Sequence, residues 1–422
     1  MLDIKLIREQ TDRVRSGVLE KGEDGGKVDE ALALDARRRE LLQKTESLKS
    51  RKNTVSAEIA RRKAGGTESD ALIAEMRTVA ESIHAIDAEL STVEAELRSV
   101  LLLIPNIPDQ SVPPGKTAAQ NRVLSTWGEE PSVDYALKPH WELMEKLRIV
   151  DFLRGTKITG AGFPVYGGKG AQLERALSAF FLDEAARAGY MEIFPPLVVN
   201  ATSATGTGQL PDKEDQMYVV TRDELYLVPT AEVPLTNYFR DEILSEKQLP
   251  VRLCGGTPCF RREAGSYGKD VRGLNRVHQF NKVELVNLVK PEASYAELEA
   301  MRAQAEALLQ KLKLRYRVLL MCAGELGFTQ SKKYDLEVWS PGQQRWLEVS
   351  SISNFESYQA RRMNIRYKPE GGGKPEILHT LNGSALALPR VVAALLEQYQ
   401  SPEGKVIVPS VLHRYTGFEI IG

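Results

Sequence analysis

Residues 257–286 concentrate the side chains best suited to chemistry. The stretch opens with Phe260, Arg261, Arg262 and Glu263. It continues through a glycine-rich basic loop (Gly265, Gly268, Lys269, Arg272 and Gly273) to Arg276, Val277, His278, Gln279 and Phe280. Guanidinium groups stay charged and grip phosphate oxygens two at a time, so two arginines flanking a flexible loop suit a bent polyphosphate. A glutamate beside the first arginine can accept from an exocyclic amine, and a phenylalanine can stack on a base. The plainer reading of the same residues is a surface β-hairpin with a basic tip. No GxxxxGK[ST] loop is present and no GxGxxG opens a helix after a strand, so a nucleotide here needs another architecture. His278 invites an acid–base role, yet the five histidines (His84, His140, His278, His379 and His413) form no spaced cluster, which favours a structural role for it. The three cysteines, Cys254, Cys259 and Cys322, lack a CxxC pair, which argues against a disulfide framework and against zinc.

Such residues need a body to hold them, and 422 residues exceed one average core, so two domains or one domain with an appendage are expected. Lys and Arg number 56 against 57 Asp and Glu, a net charge of −1, so any basic patch must be local. Residues 1–17 are charged throughout, without an apolar run long enough for a signal peptide or a membrane span. A soluble protein of the reducing cytoplasm, with no membrane partner, is expected.

Residues 28–64 contain neither proline nor glycine, and Leu34, Leu41, Leu48 and Val55 recur every seven residues. After Gly65 and Gly66 the period resumes: Leu72, Met76, Val79, Ile83, Ile86, Leu90, Val93, Leu97 and Val100 alternate steps of four and three. Two such seams joined by a glycine turn predict an antiparallel coiled-coil hairpin over about residues 28–102, on the order of 50 Å long at 1.5 Å per residue. Its two helices differ in charge. Residues 37–63 carry ten basic side chains against three acidic ones, an excess of +7, whereas residues 68–98 carry an excess of −6. The charges either pair across the hairpin and solvate it, or Arg37, Arg38, Lys44, Lys49 and Lys52 form a rail for an RNA backbone.

Four prolines in residues 103–121 end the second helix and start a linker. This places a domain boundary near residue 110: 1–110 a helical arm, 111–422 the body. Beyond it, amphipathic stretches such as 171–188 alternate with short β-rich runs such as 224–229, 282–289 and 345–350, separated by tight turns. The expected class is α+β, an antiparallel sheet flanked by helices.

The stretch 257–286 resembles motif 2 of the class II aminoacyl-tRNA synthetases and in detail is similar to the seryl family of bacterial type. Residues 189–196 (GYMEIFPP) resemble motif 1, and Asn382 to Arg390 (NGSALALPR) resemble motif 3. Pro229, Thr230, Ala231 and Glu232, and the run Glu348, Val349, Ser350 and Ser351, also match. The resemblance spans essentially the whole chain, since the family has an N-terminal coiled-coil arm. One departure is visible: after Gly208, Gln209, Leu210 and Pro211 the chain reads Asp212 and Lys213, where many relatives carry a basic-aromatic pair.

The resemblance implies a serine–tRNA ligase activity that uses ATP and Mg2+, acts on L-serine and tRNA(Ser), and works as a homodimer through motif 1. Whether tRNA(Sec) is also charged stays open. It implies catalytic roles for Arg261, Arg276 and Arg390. The ATP site would comprise these with Arg262, Glu263, Val277, Phe280, Glu348, Val349, Ser350 and Ser351, with Glu348 and Ser351 carrying magnesium. The L-serine site would comprise Thr230, Ala231, Glu232, Arg261, Glu284, Asn382 and Ser384. Which of Glu232 and Glu284 takes the ammonium stays open, and no zinc is expected. By alternation alone, Glu284 and Glu348 read as ordinary half-exposed strand residues. An amino acid:carrier-protein ligase would share the catalytic motifs without the arm. A non-catalytic adaptor would have lost Arg261, Glu263 or Arg390, which are all present.

Overall fold

The structure, a computed structural model, describes every residue except Thr67, 131–132 and 264–271. Gly265, Gly268 and Lys269 of the basic loop therefore lie outside the described residues. The chain divides into two compact units, one made of Met1–Leu19 and Glu23–Pro105, the other of Glu20–Gly22 and Asn106–Gly422.

The first unit is helical: α1 (Ile4–Glu9), α2 (Thr11–Glu20), α3 (Gly26–Ala64) and α4 (Asp70–Leu102). Helix α3 runs unbroken because no proline interrupts its hydrogen bonds. It ends with Arg61, Arg62 and Lys63 in its last turn, where cations complement the helix dipole. The heptad seam forms: Met76, Val79 and Ile83 of α4 pack against Leu48, Val55 and Ile59 of α3. Asp35 is a departure, since it is buried on α3. Burial of a carboxylate demands partners, and Arg8 of α1 at 3.0 Å and Arg39 at 3.1 Å supply them. The same pairing ties the short α1 to the hairpin.

The second unit is an α+β body around an eight-stranded sheet. Its strands are β1 (Arg122–Trp127), β2 (Met191–Glu192), β3 (Val251–Phe260), β4 (Gln279–Val289), β5 (Tyr316–Leu320), β6 (Lys332–Ser340), β7 (Arg345–Asn354) and β8 (His379–Ala387). They lie in the order β1-β5-β6-β7-β8-β4-β3-β2, antiparallel throughout except for β2 beside β3. Residues Leu225–Leu227 instead join a small separate sheet with Val198–Asn200 and Val219–Val220.

Helices α5 (Lys169–Arg187), α7 (Ser294–Lys311) and α9 (Leu388–Gln398) contribute to one large core, which takes Val283 and Leu285 of β4. On the other face of β4, Val286 and Leu288 pack with residues of α6 (Glu232–Thr236) and α8 (Tyr358–Met363). Strand β4 is thus covered on both sides, and from Lys282 to Val289 every residue is buried. This overturns the alternative in which Glu284 is a half-exposed strand residue: periodicity 2 assigns side chains to faces, but only the layers above and below decide whether both faces are covered.

Candidate active site

Alternation along β4 points Phe280, Lys282 and Glu284 to one face, and all three border a cavity of ≈ 600 Å³. Thr230 and Glu232 reach the same cavity from the start of α6, Arg261 and Glu263 from beyond the end of β3, and Arg276 and Val277 from the segment that leads into β4. Asn382 and Ser384 reach it from β8, and Arg390 from the first turn of α9.

Strand β7 supplies Glu348, Val349, Ser350 and Ser351 by an irregular register. Glu348 lies opposite Glu337 of β6, Ser350 opposite Leu336, and Ser351 opposite Asp335, so Val349 is an extra, bulged residue. Glu337 and Asp335 share a face of β6. Their partners Glu348 and Ser351, three apart in sequence, therefore share that face too.

One end of the cavity is small and polar. The Thr230 hydroxyl donates to Glu284 Oε2 at 3.2 Å and accepts from the Glu232 amide at 3.2 Å, while the Ser384 hydroxyl lies 3.5 Å from the same Glu284 oxygen. Glu284 is flanked across the sheet by Gly255 and Ser384, small neighbours that leave space around its carboxylate. Glu232 accepts from Gln359 Nε2 at 2.8 Å. Burial, reinforced by the Glu284 charge, pushes the Glu232 carboxyl up to about 7. Lys282 is ion-paired with Glu284, both being buried.

The other end is cationic and aromatic. The Arg261 guanidinium lies over the Phe280 ring, 5.2 Å from its centre, and Nε donates to the Pro229 carbonyl at 3.3 Å. Glu263 adopts a left-handed conformation, φ 49°, and is ion-paired with Arg276. Arg390 donates to the Glu348 carbonyl at 2.7 Å and to the Asn275 carbonyl at 3.0 Å. Asp335, buried opposite Ser351, keeps one carboxylate oxygen without a hydrogen-bond partner among the described residues. Burial and then the Glu348 charge push its carboxyl up to about 7.

Two of the expected residues stay outside the cavity lining. Ala231 is buried in the core under β4, and Arg262 turns to the Asp215 carbonyl at 3.2 Å. Sequence reasoning passed over Lys282, Lys333, Asn275 and Gln209, which do line it. The signal for Lys282 was present, because it falls at the same period-2 positions as Phe280 and Glu284. Lys333 left no such signal, and Gln209 stood only in the run of residues 208–211 that was compared with the family. His278 stacks on Phe163 with ring centres 5.3 Å apart, and its Nδ1 lies 3.0 Å from the Arg261 carbonyl, a scaffolding position.

In the helical unit, Arg37 pairs with Glu89 and Glu40, Arg38 with Glu94 at 2.8 Å, Lys44 with Glu40 at 2.6 Å, and Lys49 with Asp87 at 3.4 Å. Lys52 is exposed on the same helix. Arg37, Arg38 and Lys49 therefore pair across the hairpin and Lys44 within α3, and none of the five is buried.

A cavity with a carboxylate-lined polar end and an arginine-lined aromatic end can hold a small amino acid against a nucleotide. Residues 218–399 match the family model for the tRNA synthetase class II core domain (G, H, P, S and T), and residues 1–108 match that for the seryl-tRNA synthetase N-terminal domain. A serine–tRNA ligase of Salinibacter ruber is 51% identical over 425 residues, covering 100% of this chain and 99% of the relative. One of Bacillus subtilis is 52% identical over 418 residues, covering 99% and 98%. Among solved structures, seryl-tRNA synthetase from Pyrococcus horikoshii complexed with ATP superposes with a TM-score of 0.95 at 38% identity, covering 100% of this chain and 99% of that one. The cytoplasmic enzyme of Naegleria fowleri in complex with AMP gives 0.89 at 29% identity, covering 100% and 98%.

Proposed function

This chain belongs to the seryl-tRNA synthetase family, and on that premise we propose that its cavity joins L-serine to ATP and passes the seryl group to tRNA(Ser). The observation that carries the reading is the adjacency, within one cavity, of the Thr230, Glu232, Glu284 and Ser384 cluster and the Arg261, Arg276, Arg390 and Phe280 cluster.

The serine ammonium sits against the two carboxylates and its hydroxyl against the side chains around Ser384 and Asn382. Alanine would leave those buried groups unpaired, which is how such a site rejects it. Phe280 stacks on the adenine and Glu263 accepts from its amino group once Arg276 has exchanged Glu263 for the far phosphates. Arg261 faces the α-phosphate. A serine carboxylate oxygen attacks the α-phosphorus, the bond to the bridging oxygen breaks, and pyrophosphate leaves. The terminal ribose hydroxyl of tRNA then attacks the acyl carbon, its proton passes to a phosphate oxygen of the adenylate, the bond from the acyl carbon to the phosphate oxygen breaks, and AMP departs. Neither step calls for a protein base; fixed positive charge where negative charge develops supplies the acceleration.

Glu348 and Ser351, on one face beside the unpartnered Asp335 oxygen, form the hard-oxygen donor set that suits magnesium. A magnesium ion bound there supplies further positive charge to the phosphate oxygens. The arm rail of Arg37, Arg38, Lys44, Lys49 and Lys52 serves the tRNA backbone, since exposed ion pairs contribute little and phosphates can displace the acids. The exposed side chains Phe194 (91%) and Met191 (49%), within the motif 1 stretch, support a homodimer interface there. Buried free cysteines and the tRNA substrate support a cytoplasmic location. No helix among the described residues is long and apolar enough to cross a membrane.

The test is serine-dependent ATP–pyrophosphate exchange, run with each amino acid in turn and followed by charging of total tRNA. Exchange with serine alone, and charging of tRNA(Ser), is expected. Equal activation of alanine would overturn the serine assignment.

A further inference from the structure

We infer that His140 and Glu397 are positioning residues for adenylate formation, holding the chain at residues 273–276 so that it forms one wall of the nucleotide end of the cavity. This rests on the reading of the cavity given above. Neither residue lines the cavity, whereas Leu274, Asn275, Arg276 and Val277 do.

His140 opens the helix His140–Leu147, and Glu397 lies in the last turn of α9; both side chains are fully buried. His140 Nδ1 lies 2.9 Å from Glu397 Oε1, and the His140 amide donates to the same oxygen at 2.9 Å. Glu397 Oε2 accepts from the Ser340 hydroxyl and, at 3.0 Å, from the Gly342 amide. An ionised carboxylate only accepts, so Nδ1 must carry the proton and Nε2 of the neutral ring must present its lone pair. What Nε2 meets is the Leu274 amide, 2.9 Å away, which can only donate. The tautomer is fixed at one end by a buried charge, and it fixes a loop amide at the other.

Other interactions converge on the same chain. Gly273 has φ +64°, and a Cβ there would come 2.4 Å from His140 Nε2, so the backbone crosses the ring edge with no room for a side chain. Asn275 Nδ2 donates to Gln343 Oε1 at 2.8 Å, and Gln343 in turn donates to Glu397 at 3.0 Å. Arg272 lies over the ring of Trp141, the neighbour of His140, at 4.5 Å. Arg390 of α9 holds the Asn275 carbonyl. The wall that carries Arg276 is thus clamped to α9 through His140 and Glu397 on one side and Arg390 on the other.

The experiment measures ATP and serine KM separately by pyrophosphate exchange, with equilibrium ATP binding on the same full-length samples, for His140→Leu, His140→Gln and Gly273→Ala. Loss of one buried hydrogen bond and the resulting shift of Arg276 should raise the ATP KM and Kd about tenfold in His140→Leu, with serine KM within about twofold. His140→Gln, whose amide carbonyl can accept from Leu274, should stay within about threefold of wild type. If His140→Leu does not fold, Gly273→Ala carries the test, since it displaces the same chain and leaves the buried groups in place; the same ATP-selective rise is expected. Equal rises in both KM values, an unchanged ATP Kd, or equal behaviour of the Leu and Gln variants would overturn the positioning role. Wild-type protein that binds ATP yet shows no serine-dependent exchange would overturn the reading of the site, and the ATP Kd values would still decide the clamp.

Discussion

Arg37 and Glu89, paired across the helical arm, each keep more than two-fifths of their side chains in solvent, at 42% and 44%, whereas Lys282 and Glu284, paired in the catalytic body, keep 8% and 1%. The residue types are alike and the energetics are opposite. Solvent and salt screen the arm pairs, so partners exchange readily and a phosphate can take the place of a carboxylate. In the cavity desolvation makes every partner necessary, which is why Glu232 titrates near neutrality while Glu40 on the arm, hydrogen-bonded by Lys44 and Arg37, is held below the usual carboxylate range. Charge placed in a dry, fixed frame discriminates and catalyses; charge spread along a wet helix attracts.

Breaking the fixed frame should have the largest effect. Arg261→Ala should slow serine-dependent adenylate formation by about two to four orders of magnitude, measured by pyrophosphate exchange, with the fold retained by circular dichroism. Glu284→Ala should raise the serine KM about a hundredfold while the ATP KM moves little. It should also lower the melting temperature, because Lys282 is left buried without its partner.

A smaller effect sharpens the contrast through pH. Since the Glu232 carboxyl is pushed up to about 7, the ionised form that suits an ammonium grows as pH rises from 6 to 8. The serine KM should fall about tenfold over that range, and Glu232→Gln should flatten the profile. A last effect is on stability. Burial pushes the Glu174 carboxyl up to about 8 from an ordinary 4.5, although the Asn281 amide opposes this, and its second oxygen has no partner among the described residues. A carboxyl raised in the folded state contributes stability that is complete below its unfolded value and is lost as pH rises through the folded one. The melting temperature should therefore decline between pH 5 and 8, and Glu174→Gln should remove most of that decline.

Much of this was legible from residue types and spacing, and the limits have physical causes. The arm was readable because a helical seam is a local, repeating pattern: Met76, Val79 and Ile83 announce their face without reference to the rest of the chain. Asp35 was not, because its partner Arg8 lies 27 positions away on another helix. In the body, Glu284 was identified only through resemblance. Its burial depends on α6 and α8 covering one face of β4, and nothing in its own strand encodes that cover. The shared face of Glu348 and Ser351 depends on a bulge at Val349 that the alternation does not announce. His140 belongs to no spaced cluster and carries no signal in the sequence, because its significance comes from where Leu274 and Glu397, distant in sequence, bring their donor and acceptor.

The most direct test of the division between a fixed cavity and an exchangeable arm replaces Arg37, Arg38, Lys44, Lys49 and Lys52 together by glutamine in the full-length protein and measures two reactions on the same sample. Serine-dependent pyrophosphate exchange should stay within about twofold of wild type. Charging of tRNA(Ser) should require much higher tRNA concentrations, and the dependence of tRNA affinity on salt should become shallower by roughly one counterion for each phosphate no longer neutralised. Unchanged charging with an unchanged salt dependence would contradict the account, and would make the arm's basic face a solvated surface with no part in tRNA binding.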